Sequence, residues 1–191
     1  MKKIGVIGLG IIGGSLVKAI SKKGLSDCIV AYNRNSEVTR LAVKEGTVHI
    51  AAWEIDESFR DCEIIFICVP VDVIPSIIQK LSGIVNKDCI LTDVGSTKTD
   101  VMKALEYIKI PCRFIGGHPM AGSEATGYRP ARHNLFENAY YILTPLKDTE
   151  EIYIEKLTDF VESLGALPII LRPEEHDYAT AAISHVPHVL A

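Results

Sequence analysis

The residue most suggestive of chemistry is His118, within the run Phe114-Ile115-Gly116-Gly117-His118-Pro119-Met120-Ala121-Gly122-Ser123-Glu124. A short apolar stretch delivers an imidazole, and small and polar residues follow. Imidazole titrates near neutrality, so it can take or give a proton under ordinary conditions. The carboxyl edge of an open α/β sheet is where ligands bind, and a strand ending just before His118 would put it there. Val94-Gly95-Ser96-Thr97-Lys98 places hydroxyls at the end of another apolar run and at the expected N-cap of a helix. Farther on, Glu175-His176-Asp177-Tyr178 precedes Ser184-His185-Val186-Pro187-His188, where His185 and His188 are three apart and share a helix face. Without further Cys, Asp or Glu at ligand spacing, that pair does not predict a metal site.

Binding of a dinucleotide is written at the N-terminus. Gly8-Leu9-Gly10-Ile11-Ile12-Gly13 fits G-x-G-x-x-G, a weak pattern by itself, but here it follows a strand and opens a helix. Gly8 suits a tight turn, Gly10 the close approach of a pyrophosphate, and Gly13 the packing of helix on strand. The unpaired N–H groups of the helix start would then hold the phosphates. Leu9, Ile11 and Ile12 belong to the same expected cradle, and Val69 and Pro70, at the end of a later strand, are assigned to the cofactor with them. The second strand closes in Tyr32-Asn33-Arg34-Asn35 rather than in the acidic residue that pairs with the ribose of NAD. Asn33 can still bond a ribose hydroxyl without repelling a 2′-phosphate. Arg34 can bind that phosphate, stack on adenine, or simply be a solvated loop charge. From these residues the choice between NAD and NADP is open.

The elements that must position these groups alternate along the chain. Short apolar, β-branched runs at 3–8, 28–33, 64–69, 89–94, 113–116, 140–143 and 167–171 read as strands, and segments of helical period fall at 12–23, 36–45, 73–81, 98–107 and 150–164. This predicts an α/β, doubly wound Rossmann-type fold on a parallel sheet. Ile64-Ile65-Phe66-Ile67-Cys68-Val69 is apolar on both faces and belongs mid-sheet. The irregular stretch 118–135 is long enough to suggest function. After Arg172-Pro173 another helix begins, with Glu174 and Glu175 in its first turn, and no C-cap signal closes it. The expected division is a dinucleotide-binding catalytic domain over 1–172 and, over 173–191, the start of a helical C-terminal domain that is missing or truncated.

Composition excludes several classes. The formal net charge of −4 and the absence of any Lys/Arg run argue against nucleic acid. The apolar N-terminus is broken by Gly5, Gly8 and Gly10 and lacks a cleavage pattern, so it reads as a strand and not a signal peptide. No stretch approaches the roughly 20 apolar residues of a membrane span, and a cytoplasmic location is expected by default. Cys28, Cys62, Cys68, Cys89 and Cys112 have no Cys-x-x-Cys spacing and read as buried thiols.

In order and spacing, the glycine fingerprint with Gly14-Ser15-Leu16, the Gly95-Ser96 turn, His118-Pro119-Met120-Ala121-Gly122-Ser123 and Ser184-His185-Val186-Pro187-His188 resemble the prephenate/arogenate dehydrogenase family over essentially the whole chain. The resemblance implies an NAD(P)-dependent oxidoreductase of aromatic amino-acid biosynthesis, with NAD the expected cofactor and NADP not excluded. It would oxidatively decarboxylate prephenate to 4-hydroxyphenylpyruvate or, alternatively, arogenate to tyrosine. His118 would be the catalytic base for the ring hydroxyl, and Ser96 would bond that hydroxyl or the histidine. His188, and with it His185, Ser123 and Glu124, would face the substrate. Members of the family continue into a helical domain that dimerises and supplies a cation for the substrate carboxylate, so a homodimer is expected if that domain is present. A dehydrogenase of the β-hydroxyacid or pyrroline-carboxylate type shares the glycine opening but uses other residues after the sheet. A nucleotide-sensing module that has lost its chemistry would have no need of both Ser96 and His118.

Overall fold

The computed structural model describes residues 3–108, 110 and 112–185, the side chains of 184 and 185 excepted. Eight strands form one sheet: β1 (Lys3–Ile7), β2 (Cys28–Tyr32), β3 (Ile50–Ala52), β4 (Ile64–Ile67), β5 (Ile90–Asp93), β6 (Arg113–Pro119), β7 (Tyr140–Pro145) and β8 (Leu167–Ile170). Their spatial order is β3-β2-β1-β4-β5-β6-β7-β8. The helices are α1 (Ile11–Lys23), α2 (Ser36–Lys44), α3 (Ile74–Ser82), α4 (Thr99–Leu105), α5 (Glu151–Ser163) and α6 (Pro173–Thr180).

Strands β1 to β6 are parallel and follow the doubly wound order. The wholly parallel sheet expected from the sequence is corrected at its end. β7 runs antiparallel to β6, and β8 is parallel to β7. The connection explains the reversal. A parallel neighbour needs a crossover, usually helical, and no helix lies between β6 and β7, whereas α5 carries the chain from β7 to β8.

Two further differences come from pairing. Strand β3 was not expected, since its three residues are too few to show a period. Strand β6 runs beyond residue 116 to Pro119, so His118 lies in the strand rather than after it. Pairing of His118 with Ile142 and of Pro119 with Tyr141 extends it.

The core lies on both faces of the sheet. In β4, Ile64 and Phe66 join the layer under α1 and α5, with Leu16, Ile20, Leu157 and Phe160. Ile65 and Ile67 join the layer under α3 and α4, with Ile78, Leu81, Val101 and Leu105. Full burial of each such side chain stabilises by about 1.5–3 kcal/mol, which is why this strand needs no polar face. The cysteines are free thiols, four buried and Cys68 half-buried. Burial pushes the Cys62 thiol up to about 12 and that of Cys112 to about 11. Among the described residues, no helix is long and apolar enough to cross a membrane.

Candidate active site

The glycine loop joins β1 to α1 at the carboxyl edge of the sheet. Gly8 has φ +93°, and a Cβ there would stand 2.2 Å from the Cys68 carbonyl oxygen. At Gly13 a Cβ would lie 1.9 Å from the Gly8 carbonyl oxygen. Gly10 differs, because a Cβ on it would meet no atom within 4 Å. The loop is therefore closed by the protein at Gly8 and Gly13 and open at Gly10, the position that must admit a phosphate. Helix α1 starts beside it with Gly10 as N-cap and no capping side chain, so its first N–H groups point outward unpaired. A pyrophosphate fits this cradle. Leu9 is buried, Ile11 and Ile12 are half-buried, Val69 is half-buried and Pro70 exposed at the end of β4.

Asn33 follows β2, and its side chain is engaged with the loop itself. Its Oδ1 accepts the Leu9 N–H at 2.9 Å and its Nδ2 donates to the Asn35 carbonyl at 3.0 Å. The side chain thus fixes the glycine loop, whatever else it touches. Arg34 is exposed. Asn35 caps α2, accepting the Glu37 N–H at 3.0 Å.

His118 is half-buried near the end of β6, on the same edge. Its Nδ1 lies 2.8 Å from Nε2 of His176, and the two rings meet edge to face with centroids 5.0 Å apart. His176, on α6, is fully buried. Its Nδ1 is 2.7 Å from Oδ1 of Asp177. The Asp177 carboxylate in turn accepts the N–H groups of Lys98 and Thr99, each at 2.8 Å. The sequence predicts a hydroxyl cap for α4 from the Ser96-Thr97 turn. Instead, Lys98 is the N-cap residue with no capping side-chain bond of its own, and the cap is this remote carboxylate. Burial alone would raise the Asp177 carboxyl, but hydrogen bonds from Thr99, His176 and Lys98 hold it down at about 2. Burial pulls the His176 imidazole below its usual value, against the opposing pull of Asp177.

Beneath this edge is a buried ion pair. Lys98 and Asp93 have fully buried side chains and meet through Nζ and Oδ2. Oδ2 of Asp93 also accepts the Gly95 N–H at 2.9 Å, and Oδ1 accepts the Gly117 N–H at 3.1 Å. One carboxylate thus ties the end of β5 to the turn after it and to the residue before His118. Burial draws the Lys98 ammonium below its ordinary value, against the attraction of Asp93.

Ser96 is exposed at the head of that turn. Ser123 and Glu124 are exposed in the loop after β6, where Ser123 Oγ accepts the Ala125 N–H at 3.2 Å. The later part of this loop is strapped to α1: Lys18 donates to the Ala131 carbonyl at 3.1 Å, and Ser15 Oγ accepts the Arg132 N–H at 2.9 Å. Tyr128 donates to Glu45 at 2.8 Å. His185 closes a wide turn, Ala181–His185, but its side chain is outside the described set, as is the whole of His188. Nothing in the local pattern of the sequence assigns a role to His176, Asp177, Asp93 or Lys98. An acidic residue closing the apolar strand 90–93 was the available signal, because a carboxylate there must find partners.

A family model described as the nucleotide-binding domain of prephenate dehydrogenase matches residues 16–170. The chain is 37% identical over 188 residues to prephenate dehydrogenase of Bacillus subtilis, covering 96% of this chain and 50% of that protein. It is also similar to the crystal structure of A. aeolicus prephenate dehydrogenase in complex with hydroxyphenyl propionate and NAD+. There the TM-score is 0.91 and the identity 33%, with 100% of this chain and 66% of that one covered. Synechocystis arogenate dehydrogenase gives a TM-score of 0.89 at 36% identity, covering 97% of this chain and 65% of that one. The chain spans about half the length of the curated relatives it matches.

Proposed function

The chain belongs to the prephenate dehydrogenase family, and from that premise we propose that it carries out the NAD-dependent oxidative decarboxylation of prephenate to 4-hydroxyphenylpyruvate, a step toward tyrosine. The observation that carries this reading is His118, held at the carboxyl edge of the sheet that also bears an open glycine cradle. Gly8 to Gly13 would hold the pyrophosphate, with Val69 and Pro70 beside it, and Asn33, which fixes the loop, next to the ribose. Bound NAD+ supplies the hydride acceptor. His118 takes the proton of the ring hydroxyl at Nε2, its other nitrogen being committed to His176. Ser96 is assigned to that same hydroxyl or to the histidine, whose geometry it would fix. Loss of carbon dioxide makes the ring aromatic, so the residues mainly position and deprotonate. Ser123, Glu124, His185 and His188 are proposed to line the substrate side. Residues 1–172 form the core of the catalytic unit, and the helix from Pro173 belongs with them functionally because His176 and Asp177 reach the base.

Arogenate is the second reading, supported by the 36% identity to an arogenate dehydrogenase. The two substrates differ in an oxo against an ammonium group, and exposed Glu124 is the carboxylate available to an ammonium. Reduced-nicotinamide absorbance with prephenate and arogenate, each with NAD and NADP, separates these readings. His118→Asn should keep cofactor affinity and lower turnover by roughly 10²–10⁴, as for a lost general base. In the wild type the rate should rise with pH through an ionisation that the variant lacks. Near-normal turnover with an unchanged profile would move the base elsewhere.

A further inference from the structure

We infer that His176 is a positioning residue: the chain Asp177–His176–His118 locks His118 as its Nδ1–H tautomer and makes Nε2 the basic nitrogen. The hydrogen-bond chain stands on geometry, and only the naming of His118 as base rests on the function proposed above.

Asp177 Oδ1 can only accept, so the His176 nitrogen 2.7 Å away, Nδ1, must carry a proton. A neutral imidazole has one N–H, and burial of His176 favours the neutral ring. Its Nε2 is therefore a lone pair. That lone pair lies 2.8 Å from His118 Nδ1, which must then be the donor. The Thr180 hydroxyl, 3.5 Å from the same Nε2, can serve only as a second donor to it. In His118 the remaining nitrogen, Nε2, is left unprotonated.

The arrangement also suits the protonated state. When His118 gains a proton at Nε2, its Nδ1–H bond to His176 is unchanged, so no hydrogen bond is remade during the transfer. The new positive charge is linked through one ring to a carboxylate. That carboxylate cannot swing away, because both its oxygens are held by the backbone at the start of α4. An unconstrained histidine in water favours the opposite, Nε2–H tautomer, in which the nitrogen required as base is blocked. The chain selects the useful form.

Long-range ¹H–¹⁵N correlation on ¹⁵N-histidine-labelled protein near neutral pH reads the tautomers directly, without substrate. The expected wild-type result is Nδ1–H in both rings. In His176→Phe, and separately in Asp177→Asn, His118 should shift toward Nε2–H while NAD binding persists. Where the wild type turns over substrate, kcat in these variants should fall by about 10–100-fold with KM little changed. That is the range seen when the partner orienting a metal-bound imidazole is lost. An Nε2–H tautomer for His118 in the wild type, or an unchanged Nδ1–H form in both variants, overturns the inference. The wild-type spectrum decides even if neither variant folds. If the tautomers are as expected but neither prephenate nor arogenate reacts, the relay stands and the proposed function fails.

Discussion

Replacement of Lys98 by methionine tests how the catalytic edge is braced. The ammonium is fully buried against Asp93, which would keep only the Gly95 and Gly117 N–H groups as partners. Methionine fills most of the lysine volume, so the loss is electrostatic rather than a cavity. Removing one member of a buried pair strands the other charge and costs about 3–5 kcal/mol. For a protein of 150–250 residues, each kcal/mol lowers Tm by about 2–4 °C, giving an expected fall of about 6–20 °C. The double variant Lys98→Met/Asp93→Asn removes the stranded charge. Its amide oxygen can accept from only one of the two glycine N–H groups, so about 1–3 kcal/mol remains lost, or about 2–12 °C by the same conversion. The double variant should therefore melt above the single one. Calorimetry or thermal circular dichroism at neutral pH supplies both comparisons. A single variant melting within about 2 °C of wild type, or a double variant less stable than the single, would refute the reasoning.

Gly10→Ala should leave Tm near wild type, because its Cβ meets nothing, yet weaken NAD binding in calorimetric titration. Gly13→Ala should destabilise the fold, its Cβ falling 1.9 Å from a backbone oxygen. Equal melting points for the two variants would count against this account of the loop. Asn33→Ala removes the Leu9 bond, a net loss of about 0.5–1.5 kcal/mol that corresponds to about a 2–12-fold weaker Kd for NAD. Asn33→Asp keeps an acceptor for Leu9 and should disfavour NADP through repulsion of its 2′-phosphate. Equal NADP affinity before and after that change removes Asn33 from the ribose. The folded-state values of His176 and Asp177 both lie below their unfolded ones, so both groups contribute stability that falls with pH. The His176 contribution fades as pH drops below its ordinary 6.5, and that of Asp177 between 3.8 and about 2. Acid unfolding of Asp177→Asn should lack the lower component, and an acid limb identical to wild type would argue against the depressed carboxyl.

The sequence carries the glycine cradle in full, since its constraints act within a few residues: the turn at Gly8 and the contact between Gly13 and Gly8 are settled inside one strand-to-helix junction. It likewise determined β4 as a central strand, because four consecutive apolar residues leave no side for solvent. The order and spacing of motifs also sufficed to identify the family. Contacts between distant segments were not legible there. The reversed direction of β7 follows from a connection without a helix, and the extension of β6 through His118 follows from that reversed partner. Ser96, next to an expected cap, caps nothing, while Asp177 reaches across 78 positions to cap α4. His176 meets His118 across 58 positions. Local rules of capping and periodicity extend about one helical turn, and they cannot say which buried imidazole a packed helix will bring against a strand.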